Sequence, residues 1–139
     1  MTDLELKLCD VQGRLFELSE QKQLDSKMFT KEFMNSEIAK GLDSSYNRMQ
    51  WAGEEYMLDE LLETSGKILK ENVEVYSKDV LYWAVYIYRY WHYLTGESSK
   101  AIYKQAPIEM MNRNYYMFHT MSPELTIEDL KEISNQKKK

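Results

Sequence analysis

The stretch KDVLYWAVYIYRYWHYL, residues 78–94, decides the fold. Val80, Ala84, Ile87, Trp91 and Leu94 recur at intervals of four, three, four and three, one face of an α-helix. Ser77 is a good N-cap, and Thr95-Gly96 a good stop. Tyr82, Trp83, Tyr86, Tyr88, Tyr90, Trp91 and Tyr93 fill most of the circumference, leaving Arg89 and His92 as the polar edge of 80–94. A helix that is apolar almost all round belongs at the centre of a fold. The apolar part, 80–94, is shorter than the roughly 20 residues a membrane span needs and carries Arg89 and His92. It therefore reads as a core helix, and no membrane partner is predicted.

Working outward, the neighbouring segments are also helical in period. Leu4, Leu8, Val11, Leu15 and Leu18 form one stripe over 3–24, widened by Cys9 and Phe16 and interrupted by Gly13. Ser26 predicts the start of a helix carrying Phe29, Phe33 and Met34, and Ser36 or Asp43 a restart around Gly41. Tyr46, Met49 and Trp51 mark a short helix ended by Gly53. Tyr56, Leu58, Leu61 and Leu62 mark another, stopped near Gly66. The segment 64–77 reads as a connection in which Val73 and Val75 alternate like a very short strand. After the central helix, Ser98 or Ser99 caps a helix with Ala101, Ile102 and Tyr103, and Pro107 precedes one with Ile108, Met111, Tyr115 and Phe118. Ser122-Pro123 breaks that helix. Thr126 to Asp129 looks like a capping arrangement that opens the last one, with 134–139 as a frayed tail. The fold class is all-α: a compact multi-helix bundle, a single domain over 1–139, around a Tyr/Trp-rich centre.

The two halves share an order of residue classes. A shift of 69 residues aligns 15–61 with 84–130 without a gap. It pairs Phe16 with Val85, Ser26 with Thr95, Tyr46 with Tyr115 and Leu58-Asp59-Glu60-Leu61 with Ile127-Glu128-Asp129-Leu130. Two pseudo-repeats, or two amphipathic bundles of similar length, would both give this pattern.

Composition removes whole classes of function. The chain has 139 residues, 43% hydrophobic and 29% charged, with five Gly and two Pro, which suits a globular helical domain. A single cysteine, Cys9, excludes an internal disulfide framework, and two histidines exclude a His cluster for metal. The net charge is -5, wrong for a general nucleic-acid binder. The first seventy residues carry the whole excess, with nine basic and fourteen acidic side chains. An acidic half suits a basic protein partner. The start, MTDLELK, has no basic region followed by an apolar one, which predicts no signal peptide and a cytoplasmic protein.

No phosphate loop, GxSxG, HExxH or GxGxxG motif occurs, so no catalytic residue, cofactor or metal is predicted. The paired acids Glu54-Glu55, Asp59-Glu60 and Glu128-Asp129 read as solvated helix charges. The second half, through LTGESSKAIYK (94–104) and FHTMSPELTIEDL (118–130), resembles small bacterial domains of unknown function encoded beside candidate ADP-ribosyltransferase-like toxins. The likeness is clearest over Thr95–Leu130, and the first half has Gln50-Trp51 where this half has His119-Thr120. It implies a partner-binding or antitoxin role rather than a known chemistry.

Tyr and Arg dominate binding hot spots. Tyr82, Tyr86, Arg89 and Tyr93, on the edge of the central helix away from its apolar stripe, are therefore the expected partner-binding residues, with Tyr103, Tyr115 and Tyr116. The expected function is an acidic bacterial or phage protein that neutralises or regulates another protein, a toxin or defence component among them. The same face could instead pair two copies in a homodimer. The alternative is a small helical enzyme or ligand-binding domain using His92, Arg89 and His119.

Overall fold

The computed structural model describes residues 1–44, 47–70 and 73–137, with the backbone alone at 66–68. Among these residues are eight α-helices and no strand. They are α1 (Asp3–Gln21), α2 (Ser26–Met34), α3 (Glu37–Asp43), α4 (Glu54–Leu69), α5 (Lys78–Thr95), α6 (Ser99–Gln105), α7 (Ile108–Phe118) and α8 (Pro123–Lys137). A 3-10 turn, Arg48–Trp51, joins α3 to α4; Tyr46, expected on that helix, lies outside the described residues.

The Ser77 side chain accepts from the Val80 N–H, and Gly96, at φ 79°, closes α5 by donating its N–H to the His92 carbonyl. Val80, Leu81, Ala84, Val85, Ile87, Tyr88, Arg89 and Trp91 are buried along it. α5 touches α1, α6, α7 and α8, so the all-α bundle is built around it. Leu94 is a correction to the apolar stripe: it lies in the last turn of α5 and is 47% exposed.

α1 packs along α5, and Gly13 sets how closely. A Cβ there would stand 2.5 Å from the Tyr82 ring, so only glycine admits the tyrosine against α1. Phe16 on α1 meets Phe29 and Phe33 of α2 edge to face, at 4.8 Å and 5.3 Å between centroids.

Three boundaries differ from the sequence reading, each for a packing reason. α4 runs through Gly66 to Leu69, whose side chain is fully buried. That burial offsets the roughly 1 kcal/mol a helical glycine costs. Val73 and Val75 form no strand: Glu74 N–H donates to Asp25 Oδ1 (2.8 Å) and Tyr76 N–H to Ser26 Oγ (2.9 Å). The segment is thus tied to the start of α2 instead of to a sheet partner. α8 begins at Pro123, suited to a first helical position because it has no N–H to satisfy. Ser122 Oγ accepts from Leu125 N–H, while Thr126 sits inside the helix and its hydroxyl donates to the Phe118 carbonyl. α8 reaches Lys137, with Ser134 buried and 135–137 exposed, so the helix includes the start of the expected tail.

Both halves run long, short, short, long. The start-to-start offset falls from 75 (Asp3 to Lys78) through 73 (Ser26 to Ser99) and 71 (Glu37 to Ile108) to 69 (Glu54 to Pro123). The ungapped shift of 69 therefore aligns helix starts only for α4 and α8.

Candidate functional site

Arg89 is fully buried, and its guanidinium is the hub of a polar cluster. Nε donates to Gln12 Oε1 (2.9 Å), Nη1 to Asp43 Oδ1 (2.7 Å) and Nη2 to Ser99 Oγ (3.0 Å). Gln12 Nε2 donates in turn to the Val85 carbonyl (2.8 Å), and Ser99 N–H to Asp43 Oδ2 (2.8 Å). Four helices meet there: α1 through Gln12, α3 through Asp43, α5 through Arg89 and α6 through Ser99. This corrects the expectation for Arg89. A charge taken out of water needs a paired, hydrogen-bonded setting, and the interior supplies it, so the residue is not part of an exposed edge.

Tyr82, Tyr86 and Tyr93 are half-buried against α1 and its surroundings. The Tyr82 hydroxyl donates to Asp10 of α1. Burial and then that bond hold its phenol above the ordinary tyrosine range. The Tyr82, Tyr86 and Tyr90 rings follow one another at 6.1 Å and 6.4 Å. Tyr90 closes the row by donating to Glu124 of α8. Tyr93 lies with its ring 6.0 Å from Arg89 Cζ; its hydroxyl is buried with no partner among the described residues, and burial pushes its phenol up to about 12. Tyr103 is half-buried, Tyr115 half-buried beneath Trp83, and Tyr116 is 89% exposed.

The two histidines stand in different places. His92 Nδ1 is 2.6 Å from the Glu97 carbonyl and 3.6 Å from Asp43 Oδ1. It lines a recess of about 340 Å³ with Thr2, Glu5, Asp43, Gln50 and Tyr93. His119 is exposed at the end of α7, with Nδ1 2.8 Å from the Tyr115 carbonyl and its ring stacked on Tyr115 at 4.4 Å. It lines a second groove, between α1, α5 and α7. His92, Arg89 and His119 therefore do not make one site: the first two meet at Asp43 and the third faces elsewhere. Among the described residues no three His, Cys, Asp or Glu side chains are grouped as metal ligands. Cys9 is buried, and burial pushes its thiol up to about 12, which leaves little nucleophilic thiolate at neutral pH.

The surface residues that sequence reasoning passed over are Met117 (70% exposed), Leu125 (53%) and Trp51 (73%). Met117, next to Tyr116 in the chain, occupies the last turn of α7, and Leu125 the first turn of α8. Trp51 and Tyr56 line a separate recess near α4. Helical period marks an apolar residue as inward-facing, so only an apolar residue off the stripe, such as Met117 next to Tyr116, carried a signal. Of the partners of Arg89, Gln12 carried no signal, and Asp43 read only as an alternative helix start, whereas Ser36 caps α3 and Asp43 ends it. The chain matches no protein-family model, no curated protein and no solved structure.

Proposed function

We propose that this protein is a protein-binding protein that neutralises or regulates a bacterial or phage partner, in the manner of antitoxin, immunity or anti-defence proteins. The observation that supports this reading is the α7–α8 corner. Tyr116, Met117 and Leu125 stand there at 89%, 70% and 53% exposure, at the end of the half that holds the aromatic helix. Large apolar side chains left exposed on either side of one turn suit an interaction surface, and Tyr and Met are enriched in interface cores. The net charge of -5 favours a basic partner.

The test is affinity capture from a native bacterial host with wild-type bait and with a Tyr116→Ala/Met117→Ser variant, followed by titration of the purified pair. The expected result is a heterologous protein bound by wild type and weakened at least about tenfold by the variant, as hot-spot truncation does. A variant that binds as tightly as wild type removes the corner. Light scattering that shows a homodimer whose dissociation follows the same two substitutions assigns the surface to self-association instead.

A further inference from the structure

The groove between α1, α5 and α7 has a chemistry of its own. It holds about 330 Å³ and is lined by Glu17, Asp79, Tyr82, Trp83, Tyr115 and His119. Its aromatic walls are fixed in place. Trp83 meets Tyr115 edge to face at 5.5 Å, and Tyr115 is stacked on His119 at 4.4 Å with 13° between planes. Tyr82 is held by Asp10 through its hydroxyl. Two carboxylates complete the lining, Glu17 from α1 and Asp79 from the first turn of α5. Neither forms an ion pair among the described residues. No lysine or arginine lines the groove. Arg14, one turn before Glu17, is engaged with Asp10 at 2.8 Å.

Aromatic faces attract cations, and carboxylates beside them add charge and hydrogen-bond acceptors. Of the protein cations, guanidinium suits such a lining best. It is planar, stacks on rings, is weakly hydrated, and presents a fork of donors to a carboxylate. We infer that this groove receives an arginine side chain from a basic segment of the partner protein. The inference rests on the protein-binding reading. His119, which lines it, meets the exposed Tyr116 ring at 6.2 Å, so the groove borders that residue.

The probe is acetyl-Gly-Arg-Gly-amide, titrated into the full ¹⁵N-labelled chain, with lysine and citrulline versions of the same peptide as controls. The expected result is a progressive shift of the Trp83 indole N–H with a dissociation constant on the order of 1 mM for arginine. The lysine peptide should bind several-fold more weakly, and citrulline, which keeps the shape and loses the charge, should not shift the indole. Glu17→Gln with Asp79→Asn should weaken the arginine peptide at least about fivefold. An unmoved Trp83 indole, equal binding of citrulline, or lysine binding as tight as arginine overturns the assignment, and all three readouts use the wild-type chain. In the partner complex, the same double variant should weaken binding. A partner held unchanged overturns the groove and leaves the protein-binding reading standing. An arginine peptide that binds as expected in a protein that captures no partner upholds the groove and removes the reading.

Discussion

The two halves of the bundle fasten a long helix to the short one after it by opposite means. In the first, Phe16 of α1 inserts between Phe29 and Phe33 of α2, an apolar contact made of rings edge to face. In the second, α5 reaches α6 through Arg89, Asp43 and Ser99, with every bond directed and a charge at its centre. The first kind of joint is non-directional and tolerates repacking. The second fixes one arrangement, because a buried guanidinium stripped of any partner costs more than the bond itself is worth. Asp43 also belongs to the first half, so the polar joint fastens α3 to α5 and α6 as well as α5 to α6.

The largest effects should come from breaking the joints, and the two should break differently. Arg89→Ala or Asp43→Ala should each cost about 3–5 kcal/mol, because either leaves a buried polar partner unpaired. A combined Arg89→Met/Asp43→Leu change should lose much less than the two single costs added together, as replacing a buried ion pair with apolar volume often does. Phe16→Ala should cost a similar 3–5 kcal/mol as a cavity term, but with no such rescue on adding Phe29→Ala. Urea unfolding of these five variants and of Phe29→Ala alone measures this. Equal coupling in both joints would erase the contrast drawn between them.

A smaller effect tests the contact between the halves. Gly13→Ala gains about 1 kcal/mol of helix propensity in isolation. In the folded chain the new methyl meets the Tyr82 ring, which Asp10 holds by its hydroxyl, so α1 must move away from α5. The net result should be a loss of about 1–3 kcal/mol, as for other overpacked sites. Tyr82→Ala in the Gly13→Ala background should recover part of it; a stabilised single variant would show that the ring yields freely.

How much of this was legible follows from which forces act locally. The α5 period, the Ser77 and Ser36 caps and the Pro107 break are local, and the helices start where they indicate. Gly13 and Gly66 were legible only as weaknesses. The role of Gly13, admitting Tyr82, depends on a residue far along the chain, and Gly66 is carried through because Leu69 is buried in the folded core. Arg89 looked like a surface hot-spot residue because its partners, Gln12 and Asp43, are 77 and 46 residues away in the chain. The α1–α5–α7 groove was half legible: Tyr82, Tyr115 and His119 stood out by type, whereas Glu17 and Asp79 were two acids among many.

The mildest perturbation, acid, should also tell the halves apart. Glu97, in the α5–α6 turn, is only a quarter exposed, and burial pushes its carboxyl up. Hydrogen bonds from Lys131, Trp91, Gln105 and Thr95 together outweigh that and hold it at about 2. They link the α5–α6 turn to α8, with Trp91 Nε1 at 3.0 Å and Lys131 Nζ 5.5 Å from the Trp91 ring. The folded value lies below the ordinary one near 4.5, so the contribution is complete above about pH 4.5 and is lost as pH falls toward about 2. The turn after α1 holds a different kind of carboxylate: Asp25 accepts from the backbone N–H groups of Met28 and Glu74 and, among the described residues, from no lysine or arginine. Hydrogen exchange between pH 5 and pH 2.5 should therefore show α6 and α8 losing protection ahead of α2. Glu97→Gln should cost about 1 kcal/mol at neutral pH and abolish most of the difference between the halves. If α2 opens first, or if the Gln variant shows the same acid profile as wild type, the acid sensitivity belongs to other carboxylates and Glu97 is not its source.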